Sequence, residues 1–491
     1  MRKGIVSGIV FTLLLVGILP LAFNVQVVKG WAGTIYIKAD GSIFPSDAPM
    51  VVYYNVIYTL TDNITSSGDG IIVEKDNIII DGAGYTLVGS EVDYKAGIVL
   101  AGAENVLVNN VQISQFYYGI WINSASNNTV SRNSMTLNAV AVFLDYASNN
   151  TISGNNLAYN SVGVIFESSS NNNTISGNNI TNNWDGIRLD HSSYNVISEN
   201  NITNIHKGLF LDYSPNNTIS KNEITYNENG IRLRVSSHNV ISRNNITGND
   251  YGVILDDSFD NTISGNNLVI NTYSMWLYAG SSNNKVYHNN FINNVNPIDT
   301  GKIYNVWDGG YPSGGNYWND YSDTDVYSGP YQNEDGADAI GDSPYVIDGS
   351  NVDNYPLMGP FRSFVVSLGY LVDTVCNSTV EDLEYFQSNR TIVMHVSNRT
   401  KDQTMGFCRL AIPHELMAPL YNITIDNNQV DYRTIFENET LSIIYFSYEH
   451  SKLEIIIIPE FPLATILPLF MIFFVIAVVL AKKKHAGKVK T

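Results

Sequence analysis

The middle of the chain alternates apolar and polar residues with a period of two, which is the pattern of β-strands rather than of helices. Ile187 and Leu189, on either side of Arg188, illustrate the alternation. Turns rich in Asn, Gly and Ser separate these short apolar runs. The pattern therefore predicts many short strands whose successive side chains point to opposite sides.

The strands belong to a repeat, because one Asn-rich phrase returns every 22 residues with two steps of 23. A second phrase, GIxL in its commonest form, keeps the same spacing. A unit this short cannot bury a core alone, but stacked units can, so we predict an all-β parallel β-helix of about ten coils over residues 76–295. The central apolar residues of the first phrase are Val130, Ile152, Ile175, Ile197, Ile219, Ile241, Ile263 and Val286.

The asparagines of the first phrase share one position of the repeat. Stacking would bring them into a column with the strand spacing of roughly 4.8 Å, in which each amide can donate to and accept from its neighbours. We therefore interpret them as a structural corner of the coil rather than as a glycan or metal site. They are Asn133, Asn155, Asn178, Asn200, Asn222, Asn244, Asn266 and Asn289.

Three further segments flank the predicted β-helix. Residues 33–75 form an N-terminal lead-in, and residues 296–362, rich in Trp, Tyr, Asp and Gly, are expected to cap the exposed solenoid edge. Residues 363–457 alternate again and predict a small β-sandwich-like domain. The two cysteines, Cys376 and Cys408, both lie in it, and an extracellular location would favour a disulfide between them.

Both ends of the chain carry membrane-related signals. Residues 1–32 begin with Arg2 and Lys3, which precede an apolar run and then small residues, as in a cleaved signal peptide, with an uncleaved anchor as the alternative. Residues 463–481 are apolar and long enough for a transmembrane helix, and the lysine-rich tail 482–491 predicts a cytoplasmic end. The chain between them is then extracellular and anchored to the membrane.

Charge and motifs exclude some functions. The net charge of -19 argues against nucleic acid as a partner, because phosphates require a basic surface. No Cys-x-x-Cys or His-Glu-x-x-His spacing indicates zinc. Asn-x-Ser/Thr sequons, including Asn63, Asn179 and Asn377, permit N-glycosylation of a secreted protein.

The repeated NNTISGNN and GIxL phrases resemble the NosD-like family, also grouped as carbohydrate-binding and sugar-hydrolysis repeats. The resemblance covers about residues 75–295 and implies a right-handed parallel β-helix. The segment GGNYWNDYSDTD is similar to the tail of secreted archaeal members, and IPEFP at 458–462 looks like a PEF-type signal read by a sorting enzyme. Residues 458–481 would then form a PEF-like motif and a transmembrane helix.

The family includes copper-site maturation factors, but these coils do not carry the soft ligands that copper prefers. They contain no cysteine, and their histidines share no position of the repeat. Copper handling is therefore not predicted. The residues concerned are Met135, Met275, His191, His206, His238 and His288.

The outward side of the GIxL strands is the predicted functional surface. If Ile187 and Leu189 point inward, Arg188 and Asp190 point outward, and stacking extends each of these two positions into a column. The first column is Trp121, Phe143, Ile165, Arg188, Phe210, Arg232, Ile254 and Trp276. The second is Asn123, Asp145, Glu167, Asp190, Asp212, Arg234, Asp256 and Tyr278.

Aromatic rings next to charged groups suit a polysaccharide or cell-surface glycan, because rings stack on sugars and charges bind their hydroxyls. We therefore predict carbohydrate binding without catalysis by the aromatic and charged members of both columns. The alternative for the aromatics is that they stack on one another and stiffen the sheet.

Two other functions remain open. Asp190 and Asp212 would lie roughly 5 Å apart, the separation of a retaining glycosidase. Alternatively, resemblance to polysaccharide lyases of this architecture implies that the carboxylates could hold Ca2+ beside an arginine base. The third reading is a purely structural surface stalk. Ca2+ is the one cofactor considered.

Overall fold

The computed structural model describes residues 30–278, 280–449 and 451–460 and divides the chain between Asn195 and Val196 into two compact units. Both units contain coils of a right-handed-type parallel β-solenoid, about eleven turns in all, close to the predicted ten. The described residues form strands and one 3-10 helix, at Ser367–Gly369, and no α-helix. The predicted solenoid is thus confirmed.

Each regular coil has two three-residue strands and one six-residue strand. In one coil these are Thr151–Ser153, Asn156–Ala158 and Val162–Glu167. Equivalent strands of successive coils pair in parallel within each unit, which gives two short-strand sheets and one that we call the long-strand sheet. Inward residues of this coil, such as Ile152, Leu157 and Phe166, are fully buried, as the alternation predicted.

The strands of the first unit fall into these three sheets. The long-strand sheet contains Ile35–Ile37, Ile43–Phe44, Ile71–Val73, Ala96–Ala101, Tyr118–Asn123, Val140–Asp145, Val162–Glu167 and Asp185–Asp190. One short-strand sheet contains Met50–Tyr53, Ile57–Leu60, Ile79–Asp81, Leu107–Asn109, Thr129–Ser131, Thr151–Ser153 and Thr174–Ser176. The other contains Trp31–Ala32, Ile64–Thr65, Thr86–Val88, Gln112–Ser114, Ser134–Thr136, Asn156–Ala158 and Asn179–Thr181.

The second unit begins with the same three-sheet pattern. Its long-strand sheet contains Lys207–Asp212, Asn229–Arg234, Tyr251–Asp256, Tyr273–Tyr278 and Asn296–Asp299. One short-strand sheet contains Val196–Ser198, Thr218–Ser220, Val240–Ser242, Thr262–Ser264 and Lys285–Tyr287. The other contains Asn201–Thr203, Glu223–Thr225, Asn245–Thr247, Asn267–Val269, Asn290–Ile292 and Tyr317–Trp318.

The predicted asparagine column is present as a ladder of buried amides. In the first unit, Asn133 Nδ2 donates to Asn155 Oδ1 at 3.1 Å, and Asn155 Nδ2 donates to Asn178 Oδ1 at 2.9 Å. In the second unit the same position continues from Asn222 to Asn244 at 3.0 Å. Two further ladders, not predicted, occupy the other coil positions: Asn128, Asn150 and Asn173, and Asn138, Asn160 and Asn183, in the first unit.

Aromatic residues cover the last coil of the second unit. The strand Tyr317–Trp318 pairs with Asn290–Ile292, and the Trp318 ring stacks on Phe291 with centroids 4.3 Å apart. Trp318 is also buried and donates its indole N–H to Asp353 at 2.9 Å. The segment also contains the short hairpins Tyr327–Ser328 with Glu334–Asp335 and Tyr345–Val346 with Val352–Asp353.

The second unit ends in two antiparallel five-stranded sheets that share one hydrophobic core. The sulfur atoms of Cys376 and Cys408, which face each other on neighbouring strands, are joined in a disulfide. One sheet has the order Phe361–Val365, Leu371–Cys376, Met405–Pro413, Leu441–Glu449, Arg433–Glu437. The other has the order Thr379–Phe386, Thr391–Ser397, Leu453–Pro459, Tyr421–Ile425, Asn428–Val430.

The predicted terminal signals fall largely outside the described residues. Trp31–Ala32, at the end of the segment predicted as signal peptide, is a strand that pairs with Ile64–Thr65. The predicted span at 463–481 and the tail at 482–491 are not among the described residues. Within residues 30–278, 280–449 and 451–460, we find no helix long and apolar enough to cross a membrane.

Candidate functional site

The two predicted outward columns exist as neighbouring positions on the long-strand sheets. In the first unit, Trp121 pairs with Phe143, and Asp145 pairs with Glu167. In the second unit the register aligns Phe210, Arg232, Ile254 and Trp276 in one row and Asp212, Arg234, Asp256 and Tyr278 in the next. The 22-residue spacing thus predicted the lateral order of these residues correctly within each unit.

The phenylalanines of the columns are not open platforms, contrary to expectation. Phe143 is only 8% exposed, because the Tyr118 ring stacks on it with centroids 4.8 Å apart. Phe210 is 7% exposed and lies against the cationic groups of Lys207, Arg232 and Arg234 at 5.3 to 5.8 Å. A ring covered in this way has no free face for a sugar. At Phe143 the cover is another aromatic ring, as in the stacking alternative, whereas at Phe210 it is a set of cationic side chains.

The charged residues of the second unit form ion pairs rather than a repelling column. Both Asp212 oxygens accept hydrogen bonds from Arg234, and Asp212 is 4% exposed. Arg232 donates to Asp256 at 3.0 Å, and Tyr278 donates to the same carboxylate at 3.1 Å. Because Arg234 binds both of its oxygens, Asp212 is unavailable as a nucleophile or Ca2+ ligand.

Asp190, in the first unit, accepts a hydrogen bond from Arg188 at 3.2 Å and contacts His191 Nδ1 at 2.6 Å. Its predicted catalytic partner Asp212 belongs to the other unit. Among residues 30–278, 280–449 and 451–460, no group of three or more His, Cys, Asp or Glu side chains could hold a metal ion. The structure therefore offers no Ca2+ cluster in its described part.

In the first unit, four ring systems form what we call the aromatic path. Tyr94 contacts Tyr117 at 5.1 Å, Tyr117 contacts Tyr118 at 4.8 Å, and Tyr118 contacts Trp121 at 5.6 Å between centroids. Sequence reasoning missed Tyr118, since strict alternation puts it on the side of Ile120. The strand pairing skips the intervening glycine, which interrupts the alternation and brings Tyr118 to the outward side.

A corner groove of about 640 Å³ begins at Tyr117. Its wall includes Tyr159 and Trp184, whose side chains are 63% and 64% exposed, and the acidic residues Glu91 and Asp93. The ladder asparagines form part of its floor. Sequence reasoning missed this groove because its aromatic residues sit in the turns rather than on the GIxL strands, with Tyr117 and Trp184 at one position of the repeat and Tyr159 at another. Exposed aromatics in those turns were the available signal.

The carboxylates beside the aromatic path have an unusual environment. Burial raises the pKa of Glu167, the positive charge of Arg188 lowers it, and the charges of Asp190 and Asp145 raise it. Burial also raises the pKa of Tyr118 to about 12, so this tyrosine stays neutral at ordinary pH. The site therefore combines a neutral aromatic surface with a carboxyl group that holds its proton more strongly than usual.

The second unit has a smaller aromatic patch. The rings of Tyr251 and Tyr273 stack at 5.2 Å, and Tyr251 stacks on Trp276 at 5.0 Å. Tyr278 contacts Trp276 at 5.1 Å and is tied to Asp256. The side chains of this patch are half-buried, whereas Tyr159 and Trp184 of the corner groove are mostly exposed.

Comparisons with known proteins give one family and several solved structures. A family model described as "Periplasmic copper-binding protein (NosD)" matches residues 62–245 and 185–323, together more than half of the chain. No curated protein matches.

Three solved structures are similar in part. The mannuronan C-5 epimerase AlgE6 A-module of Azotobacter vinelandii is 17% identical, covers 55% of this chain and 86% of its own, and has a TM-score of 0.38. The periplasmic alginate epimerase AlgG is 15% identical, covers 52% of this chain and 78% of its own, and has a TM-score of 0.40. The exopolygalacturonase of Thermotoga maritima is 11% identical, covers 47% of this chain and 71% of its own, and has a TM-score of 0.32.

Proposed function

The chain belongs to the NosD family, and on that premise we propose that it binds a polysaccharide in the corner groove and along the aromatic path of its first unit. The observation that carries the proposal is the continuity of exposed and half-exposed rings from Trp184 and Tyr159 through Tyr117 to Trp121. The extracellular location, the membrane anchor at 463–481, the PEF-like sorting signal and the archaeal type are part of the same proposal. They rest on the sequence, and the family description as periplasmic supports a non-cytoplasmic site.

The groove has the size and lining of a saccharide site. Its volume of about 640 Å³ lies within the range of roughly 300 to 1,000 Å³ of typical ligand pockets. Stacked sugar rings need flat aromatic faces, which Tyr159 and Trp184 present to solvent. Glu91 and Asp93 add carboxylates that accept hydrogen bonds from hydroxyl groups.

Copper, which the family description names, does not enter the proposal. Copper sites use His, Cys and Met side chains that converge on one point. Met135 and Met275 are fully buried in the solenoid core. The described residues contain no group of three or more His, Cys, Asp or Glu side chains suited to a metal.

The first test removes two rings of the groove. The double variant Tyr117→Ala/Tyr159→Ala should weaken binding of the best glycan from an array by tenfold or more, since each lost aromatic contact is worth roughly 1 kcal/mol. Calorimetric titration of the full chain measures the affinity. The control is Tyr226→Ala, which removes an exposed tyrosine of the second unit at the turn position that Tyr159 occupies in the first. Equal affinities of the double variant and the control would contradict the site.

An enzyme is the second candidate function, favoured by the raised pKa of Glu167, which suits a general acid. The variant Glu167→Gln should then abolish product formation from the bound glycan while it retains binding, because it removes the transferable proton but little volume. Glu104→Gln changes an exposed carboxylate elsewhere in the unit and serves as the control. Chromatography of the products decides the matter. If the unmodified protein binds the glycan but forms no product, the enzyme hypothesis is wrong and only the binding function stands.

A further inference from the structure

The second unit contains a cavity of about 450 Å³ between its solenoid coils and the two antiparallel sheets that follow them. Among the described residues that line it are Arg243, Arg362 and Arg399, and no aspartate or glutamate. This composition is opposite to that of the chain, which has 46 acidic and 27 basic residues. The cavity is distinct from the groove and the aromatic path, which belong to the first unit.

The three arginines form no ion pair within the described part of the chain, whereas Arg232 and Arg234 of the same unit each form one. Arg362 donates to the carbonyl oxygen of Val380, and Arg399 donates to the Tyr317 hydroxyl at 3.1 Å. Both guanidinium groups therefore bind neutral acceptors and have further N–H groups that can donate to a ligand.

Arg243 has no side-chain hydrogen bond among the described residues, and it lies close to Gly265 and Phe361 at the wall of the cavity. Burial lowers the pKa of Arg362, and the positive charge of Arg399 lowers it further. The carboxyl group of Asp373 interacts electrostatically with Arg243, and this half-buried residue lines a neighbouring cavity.

The remaining wall offers amides and apolar surface together. Asn245, Asn267 and Asn290 lie side by side on a short-strand sheet. Asn290 forms two hydrogen bonds of 2.8 Å with the backbone of Phe361 and donates to Asn267 Oδ1 at 2.7 Å. Asn267 is exposed, and its amide N–H groups face no acceptor among the described residues. Val269 and Ile292 supply apolar contacts beside these amides.

We propose that this cavity binds an acidic sugar, with its carboxylate or sulfate on the three arginines and its ring against the amide and apolar wall. Guanidinium groups match the geometry of such oxyanions and gain most where no carboxylate already occupies them. The wall distinguishes a sugar from an inorganic anion, since amides bind hydroxyl groups and Val269 and Ile292 cover carbon. The cavity volume suits a ligand of this size.

The test titrates the full chain with glucuronate, glucose 6-sulfate, glucose and inorganic sulfate. Both acidic sugars should bind, and glucose should bind at least tenfold more weakly because it lacks the charge-assisted hydrogen bonds. Arg243→Gln and Arg362→Gln should each weaken glucuronate binding by tenfold or more. Lys302→Gln removes an exposed charge of the same unit and should change nothing.

Several results would overturn the proposal. Equal binding of glucose and glucuronate would exclude recognition of the charge, and sulfate binding as tight as that of the acidic sugars would reduce the cavity to a simple anion site. Unchanged affinity in Arg243→Gln would also exclude the proposal. That side chain makes no hydrogen bond among the described residues, so the substitution should not disturb folding. The Tyr117→Ala/Tyr159→Ala variant should keep full glucuronate binding here, which separates this cavity from the groove.

Discussion

Replacement of Asn155 by alanine is expected to lower the free energy of unfolding by about 3 kcal/mol. The Asn155 amide donates to the Val130 carbonyl oxygen at 2.9 Å and accepts from the Asn133 backbone N–H at 3.0 Å, and the residue is buried. Alanine leaves both backbone groups without a partner inside the solenoid, and each such group costs about 1 to 3 kcal/mol. It also interrupts the ladder bond to Asn178.

The matched control is Asn156→Ala, one residue along the chain. Asn156 is exposed and accepts one side-chain hydrogen bond, from Asn179 at 2.8 Å, so water can replace what is lost. Its effect should stay below about 1 kcal/mol. Urea unfolding followed by circular dichroism measures both. If the two variants were equally stable, the ladder would not be the support of the coil that we infer.

Replacement of Arg409 by methionine is expected to destabilise the second unit by about 3 kcal/mol or more. Arg409 is buried and donates to the backbone oxygens of Asp338, at 3.2 Å, and of Pro312. Its charge lowers the pKa of Asp338, which burial raises. Methionine has a similar volume but no charge, so the buried acidic group loses its compensation.

The cost of Arg409→Met should depend on pH with a defined sign. Burial raises the pKa of Asp325 to about 7, and it raises that of Asp338 as well. Groups with a raised folded-state pKa contribute stability below the unfolded value near 4, and this contribution is lost as the pH rises through the folded value. Without Arg409 that loss is larger, so the variant should be closer to the unmodified protein at pH 5 than at pH 8.

Thermal unfolding at several pH values measures this difference. The control is Arg390→Met, which changes an exposed arginine in the part of the chain that forms the two antiparallel sheets. Its effect on stability should not depend on pH. A cost of Arg409→Met that stays constant from pH 5 to pH 8 would show that the charge of Arg409 does not act on the acidic residues.

The candidate site was only partly predictable, and the reason differs from residue to residue. The repeat predicted that Arg232 lies beside Phe210 and Arg234 beside Asp212, because neighbours in a stack follow from the spacing alone. It did not predict that Arg234 closes both hydrogen bonds on Asp212. That contact depends on rotamers and on how far a long side chain reaches across the strand, which a repeat of residue types does not contain.

The sequence by itself determined the solenoid, the corner asparagines and the lateral order of the long strands, since all three follow from short-range periodicity. Only the tertiary structure decided which rings face solvent, how Tyr118 turns outward beside a glycine, and that Tyr117, Tyr159 and Trp184 share a groove. It also placed Arg243, Arg362 and Arg399 around one cavity. The physical reason is that exposure and cavities depend on the packing of side chains from distant coils, which local alternation cannot specify.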